Sequence, residues 1–261
     1  MKLDIYQVDA FTSDIFNGNP ACVVPLDKWV SDEILLKIAQ ENAVAETAFY
    51  VKNNDKYHLR WFTPEIEMDL CGHATLATAH VIYSILGLKK EKIVFETLSG
   101  DLIVKIEDHL YVMNLPSRMP LPKKLPKNIY DSLNIKPLEV YKARDYLLLF
   151  SSEGDVKNIK INTELFNKKN LGTGGVICTS RSNNCDFVSR VFFPQASILE
   201  DPVTGSAHCS LVPFWSNRLG KNELTARQIS SRGGNLKCFN RDNRIEICGD
   251  AKTYLIGKIF I

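Results

Sequence analysis

The stretch Arg60-Trp61-Phe62-Thr63-Pro64, followed by Gly72-His73-Ala74 and an apolar run that closes on Gly87, occurs in the chain a second time. Its echo is Arg190-Val191-Phe192-Phe193-Pro194, followed by Gly205-Ser206-Ala207 and a run that closes on Gly220. Further on, Ser99-Gly100-Asp101-Leu102 is answered by Gly233-Gly234-Asn235-Leu236. The three matches keep one order at offsets of 130, 133 and 134 residues, which composition alone does not produce. Such a repeat predicts two similar halves, with a site in the cleft where they face each other.

The apolar runs say what each half must be. Residues 74–86 (ATLATAHVIYSIL) and 207–219 (AHCSLVPFWSNRL) carry apolar or small side chains on nearly every face. A helix that is apolar all round is buried all round, and in a strand-rich chain its cover is sheet. Pro213 should kink or loosen the first turns of the second helix. Short runs rich in Val, Ile, Phe and Tyr predict strands at 3–11, 21–24, 47–51, 58–62 and 92–96, and a hairpin of 102–106 with 110–115 across Glu107-Asp108-His109. Residues 31–41 read as an amphipathic helix with Ser31 as N-cap and Ile34, Leu35 and Ile38 on one face. Four prolines in 116–126 mark a boundary. The expected fold is therefore α+β, with two pseudo-symmetric domains, each a curved, mostly antiparallel sheet wrapped around a central buried helix. The first domain takes in 1–116, with 253–261 as a candidate returning strand, and the second takes in 117–252.

At 261 residues with a net charge of +2, the composition is that of an ordinary globular protein, and the charge is too small and dispersed for a nucleic-acid partner. The most basic stretch, 122–127, lies among prolines and reads as a solvated linker. The chain opens Met1-Lys2-Leu3-Asp4 without the pattern of a signal peptide, and no run approaches the ~20 apolar residues of a membrane span. The seven cysteines are odd in number and form no C-x-x-C pair, which fits reduced thiols in a cytoplasmic protein better than a disulfide or zinc framework.

Each buried helix starts after a glycine and a small polar group. First-turn N–H groups have no partner inside a helix, and the macrodipole adds about half a positive charge there. With Gly72 and Gly205 allowing close approach, two such starts make a site for a carboxylate. Glu46, Cys71, His73 and Asp201 stand beside them in sequence. Glu46 lies in the apolar stretch Val44-Ala45-Glu46-Thr47-Ala48-Phe49, where desolvation is expected to raise its pKa toward neutrality. Each residue alone has a plainer role: a surface-paired glutamate, a helix-start histidine, a buried thiol, a turn-starting Asp201-Pro202.

Together these residues bring out a resemblance. The chain resembles the phenazine biosynthesis PhzF-like family, within the diaminopimelate epimerase-like fold. The resemblance runs through Val8-Asp9-Ala10-Phe11-Thr12, Phe16-Asn17-Gly18-Asn19-Pro20-Ala21, Ala45-Glu46-Thr47-Ala48-Phe49, Cys71-Gly72-His73-Ala74-Thr75, Glu200-Asp201-Pro202-Val203-Thr204-Gly205-Ser206-Ala207-His208 and Arg232-Gly233-Gly234. It implies a cofactor-free, metal-free isomerase of a small carboxylate, commonly a homodimer. By that resemblance Glu46 is the acid/base that moves a proton, assisted by His73 and Asp201, while Ser206 and the backbone after Gly72 and Gly205 hold the substrate with Cys71 alongside. The segment Leu171-Gly172-Thr173-Gly174-Gly175 is a candidate wall of the site and lacks the charged side chain of many relatives, which points to a different substrate.

Three other readings stand beside this one. A two-thiol racemase would use Cys71, but no cysteine precedes Gly205, and Cys209 lies a helical turn too far on. Metal hydrolysis through Cys71, His73, His208 and Cys209 lacks any H-E-x-x-H arrangement. A binding protein on an enzyme fold would be indifferent to loss of the Glu46 carboxyl.

Overall fold

A computed structural model describes residues 1–88 and 90–261 and divides them into two units, Met1–Leu115 with Glu246–Ile261, and Pro116–Ile245. The first contains strands β1 (Lys2–Ala10), β2 (Asn19–Leu26), β3 (Glu46–Asn53), β4 (Lys56–Phe62), β5 (Glu67–Met68), β6 (Lys92–Thr97), β7 (Gly100–Glu107) and β8 (Leu110–Pro116). Helix α1 (Asp32–Asn42) joins β2 to β3, and α2 (Gly72–His80) follows β5 and continues as a π-helical segment, Val81–Ile85. Strand β2 pairs with β1 antiparallel and with β3 parallel; β4 takes β3 and β5 antiparallel and β6 parallel. Pairs β6–β7 and β7–β8 are antiparallel, the latter closing at Asp108 and His109, both at positive φ, as a two-residue hairpin turn needs.

The second unit repeats this order with β9 (Leu121–Pro122), α3 (Lys127–Ser132), β10 (Glu139–Lys142), β11 (Tyr146–Leu149), α4 (Glu153–Lys157), α5 (Thr163–Phe166), β12 (Val176–Arg181), β13 (Phe187–Phe192), β14 (Glu200–Asp201), α6 (His208–Leu219), β15 (Glu223–Gln228) and β16 (Gly234–Arg241). Strand β11 pairs with β10 antiparallel and with β12 parallel; β13 takes β12 and β14 antiparallel and β15 parallel, and β15 pairs with β16. The sequence repeat is thus a repeat of topology, with β2–β7 matching β11–β16. The chain returns to the first unit along β17 (Arg244–Gly249) and β18 (Ala251–Phe260), and β18 pairs with β1 over its whole length. The return begins before residue 253 because Ala251 already pairs with Ala10, and Phe11 donates its N–H to Asp250.

Both central helices are buried over most of the runs expected from the sequence, but not to their ends: Ser84 and Leu86 in the first and Asn217 and Arg218 in the second are exposed. Every residue from Gly72 to Ala79 and from His208 to Ser216 is buried. Helix α6 is entered through a 3₁₀ turn, Gly205–Ala207, and runs unbroken through Pro213. The backbone bond lost at the proline is replaced from outside the helix. Pro213 has no N–H to offer the carbonyl of Cys209, and the backbone N–H of Arg118 takes that place at 2.8 Å. Helix α1 differs in detail: Leu35 and Ile38 are buried, Ile34 is exposed, and the Ser31 hydroxyl makes no capping bond. Among the described residues no helix is long and apolar enough to cross a membrane.

Candidate active site

In the first unit the end of one strand and the start of the buried helix bring three chemical groups together. Glu46 is the first residue of β3, opposite Ala21 in β2, and its side chain is 14% exposed. His73 is the second residue of α2, only 2% exposed, because the helix it opens is enclosed by sheet. Its Nε2 lies 3.1 Å from Glu46 Oε2. On the other side of the ring, Nδ1 lies 3.1 Å from Asn19 Nδ2 and 3.6 Å from Cys71 Sγ.

The charges follow from burial and proximity. Burial lowers the pKa of His73, and the acidic groups set against the ring, Cys71 when ionised and the Glu46 carboxylate, raise it. Burial also pushes the Cys71 thiol up to about 11, and Glu46 adds to the effect. Cys71 is therefore a thiol near neutral pH, and the negative partner left to His73 is Glu46. Cys71 also stands at the N-cap of α2, where its carbonyl accepts from the N–H and the hydroxyl of Thr75. The N–H groups of Gly72 and His73 lie in the first turn, where a helix supplies no carbonyl to receive them.

Asn19, in the stretch Phe16-Asn17-Gly18-Asn19-Pro20, is the residue of this cluster that no local sequence pattern marks. Its position is fixed by Gly18, which adopts φ +65° and where a Cβ would stand 2.2 Å from the Ala10 carbonyl oxygen. The turn needs the glycine, since only that residue lets the chain double back on β1 and enter β2 at Asn19.

The second unit holds its own cluster. Asp201 ends β14 and is 8% exposed; its Oδ2 accepts from the Thr204 hydroxyl at 2.5 Å. The turn between them is pinned by Gln228, fully buried at the end of β15. Gln228 Nε2 donates to the Asp201 carbonyl at 2.7 Å, and its Oε1 accepts from Thr204 N–H at 2.9 Å. A buried amide at a core position of an alternating strand was the available clue to Gln228. Ser206, in the 3₁₀ turn after Gly205, accepts from Arg144 Nη2 at 3.0 Å. Nothing in the sequence pointed to Arg144.

Of the candidate metal ligands, His208 hydrogen-bonds the Thr204 carbonyl through Nδ1, is pushed down to about 4 by burial, and packs on Phe187. Cys209 is fully buried, its thiol pushed up to about 11 by that burial. Among the described residues the group with ligand atoms close enough for a metal is Glu46, Cys71 and His73, within 4.8 Å of one another. A metal there would have to displace the proton that burial holds on Cys71.

Residues 8–257 match the family model described as phenazine biosynthesis-like protein. An uncharacterized isomerase of Pseudomonas aeruginosa is 45% identical over the whole length of both chains. The crystal structure of a PhzF-family phenazine biosynthesis protein of Enterococcus faecalis superposes with a TM-score of 0.93 at 41% identity, covering all of both chains. That of a phenazine biosynthesis PhzC/PhzF protein of Clostridium difficile gives a TM-score of 0.88 at 45% identity, covering 99% of this chain and all of the other.

Proposed function

Because the chain belongs to the phenazine biosynthesis-like family, we propose that it is an isomerase that moves a proton on a small carboxylate substrate, with Glu46 as the group that takes the proton and returns it. The observation that carries this reading is the contact of 3.1 Å between Glu46 Oε2 and His73 Nε2 at the mouth of a buried helix.

The chemistry follows in order. A carboxylate at Glu46 removes a proton from the carbon next to an unsaturated or carboxylate-bearing group, and the electrons of the broken C–H bond pass into that group as an enolate. The developing negative charge needs fixed positive potential close by. The start of α2 at Gly72 and His73 supplies it through N–H groups and the macrodipole. His73 Nε2, 3.1 Å from Glu46 Oε2, is within hydrogen-bond reach of the carboxyl group and can orient it toward the substrate. The proton then returns to a different carbon. The scheme calls on no cofactor. We assign Asp201 as an assisting carboxyl group and Gly205 and Ser206 as substrate-holding positions.

The paired-thiol alternative gains nothing from the geometry. Burial pushes both Cys71 and Cys209 to about 11, and Cys209 is fully buried in the core of its unit. The test is proton exchange in deuterated water with a panel of small carboxylates, including cyclic dienes and amino acids, followed by NMR. Exchange at carbon is expected in the wild type and absent in Glu46→Gln. His73→Ala and Asp201→Asn are expected to slow it by about one to four orders of magnitude. Full exchange in Glu46→Gln would end the mechanism, and a phenotype indifferent to that substitution would favour a binding protein.

A further inference from the structure

A cavity of about 270 Å³ in the second unit is lined by Pro126, Lys142, Arg144, Tyr146, Lys169 and Leu171, together with Asn170. Three of these side chains are cationic, and no acidic residue lines the cavity. Among the described residues Lys142 and Lys169 make no ion pair; Lys142 lies over the Tyr146 ring at 4.7 Å. Arg144 belongs to two places at once. Its guanidinium borders the cavity and also donates to Ser206 Oγ through Nη2 at 3.0 Å.

The loop that carries Arg144 is braced. Asp145, almost fully buried, accepts from Gly175 N–H at 2.7 Å and from Arg144 Nε at 3.3 Å, and Tyr146 N–H donates to the Gly175 carbonyl. Gly174 packs so closely that a Cβ there would stand 2.9 Å from the Arg144 carbonyl oxygen. The glycine segment 171–175 thus sets the position of a cation without carrying one. A largely buried guanidinium, only 13% exposed, is set beside a substrate-holding serine and faces a cavity with two further cations. A concave site lined by cations, with no acid in its lining, suits an anionic group such as a carboxylate or phosphate.

We propose that this cavity receives a second anionic group of the substrate, so that the molecule acted on is a dianion carrying a carboxylate and, at its other end, a further carboxylate or a phosphate-type group. The proposal rests on the reading of Ser206 as a substrate-holding residue.

The test is calorimetric titration of the full chain at low ionic strength with three small acids, butyrate, glutarate and 3-phosphonopropionate. The two polyanions are expected to bind at least about tenfold more tightly than butyrate, and the better of the two identifies the second group. Arg144→Gln and Lys169→Gln are each expected to remove most of that preference. Lys169 is exposed on a loop, so its variant reports even if Arg144→Gln fails to fold. Equal affinity for all three acids in the wild type, or a preference that survives in Lys169→Gln, overturns the assignment. The same titrations on Glu46→Gln are expected to keep the preference, so loss of proton exchange and loss of dianion selectivity are separate results.

Discussion

At the scale of single residues, the division of labour between Cys71 and Glu46 decides the chemistry. Both approach His73, one at Nδ1 and one at Nε2, and either could in principle pair with an imidazolium. Burial settles it, because the cost of ionising a thiol held at about 11 leaves little thiolate near neutrality, and the thiolate is the nucleophile and base. Cys71→Ser is therefore expected to retain proton exchange within about tenfold, since it replaces one neutral group with another. Exchange measured by NMR on that variant checks it, and a loss beyond a thousandfold would move the reaction to the thiol. The sequence pointed to Glu46, Cys71 and His73 because each flanks a helix start or opens a strand, positions set by local pattern. Asn19, Arg144 and Gln228 escaped it because their places depend on strand pairing and on loops meeting far along the chain, which periodicity does not record.

Among the elements, the entry to α6 shows how a buried helix start is held without a capping side chain. The His208 ring donates from Nδ1 to the Thr204 carbonyl, and Thr204 is itself held by Gln228 and Asp201. The histidine is completely enclosed, and burial lowers its pKa from 6.5 to about 4. The unfolded chain therefore takes up a proton on this residue at a pH where the folded chain does not. Its contribution to stability is complete above about 6.5, is lost as the pH falls toward 4, and changes no further below that. Over that window the loss is about 3 kcal/mol, from roughly 1.4 kcal/mol per pKa unit. Denaturant unfolding of wild type and His208→Asn at neutral pH and near pH 4 reads it out, and the wild type should lose more stability than the variant by about that amount. Equal losses would show that the ring is not buried neutral. The sequence showed that this helix was buried, but not that the donor replacing the N–H missing at Pro213 comes from Arg118, because that residue lies on a separate segment.

Across the whole molecule, duplication preserved one device in both units and then let its surroundings diverge. In the first unit Arg60 makes two bonds of 2.7 Å to the carboxylate of Glu67, and its guanidinium lies over the Phe62 ring. In the second, Arg190 makes the same pair with Glu200, again at 2.7 Å, over the ring of Phe192. The R-x-F motif thus puts an arginine on β4 or β13, facing a glutamate on the short strand that pairs beside it. The third partner differs. Arg60 also reaches Asp32, an exposed side chain, whereas Arg190 donates to the carbonyls of Val156, Lys157 and Ile159 at the end of α4. An ion pair with an exposed acid adds little, while carbonyls left without their donor at a helix end cost more. Arg190→Met is therefore expected to destabilise its unit by about 3–5 kcal/mol, and Arg60→Met by about 2 kcal/mol. Hydrogen exchange reads each unit separately, so protection in β12 and β13 should fall further in Arg190→Met than protection in β3 and β4 falls in Arg60→Met. Equal losses would mean that the salt bridge alone carries both sites, and that the carbonyls of α4 find water as readily as the exposed Asp32 does.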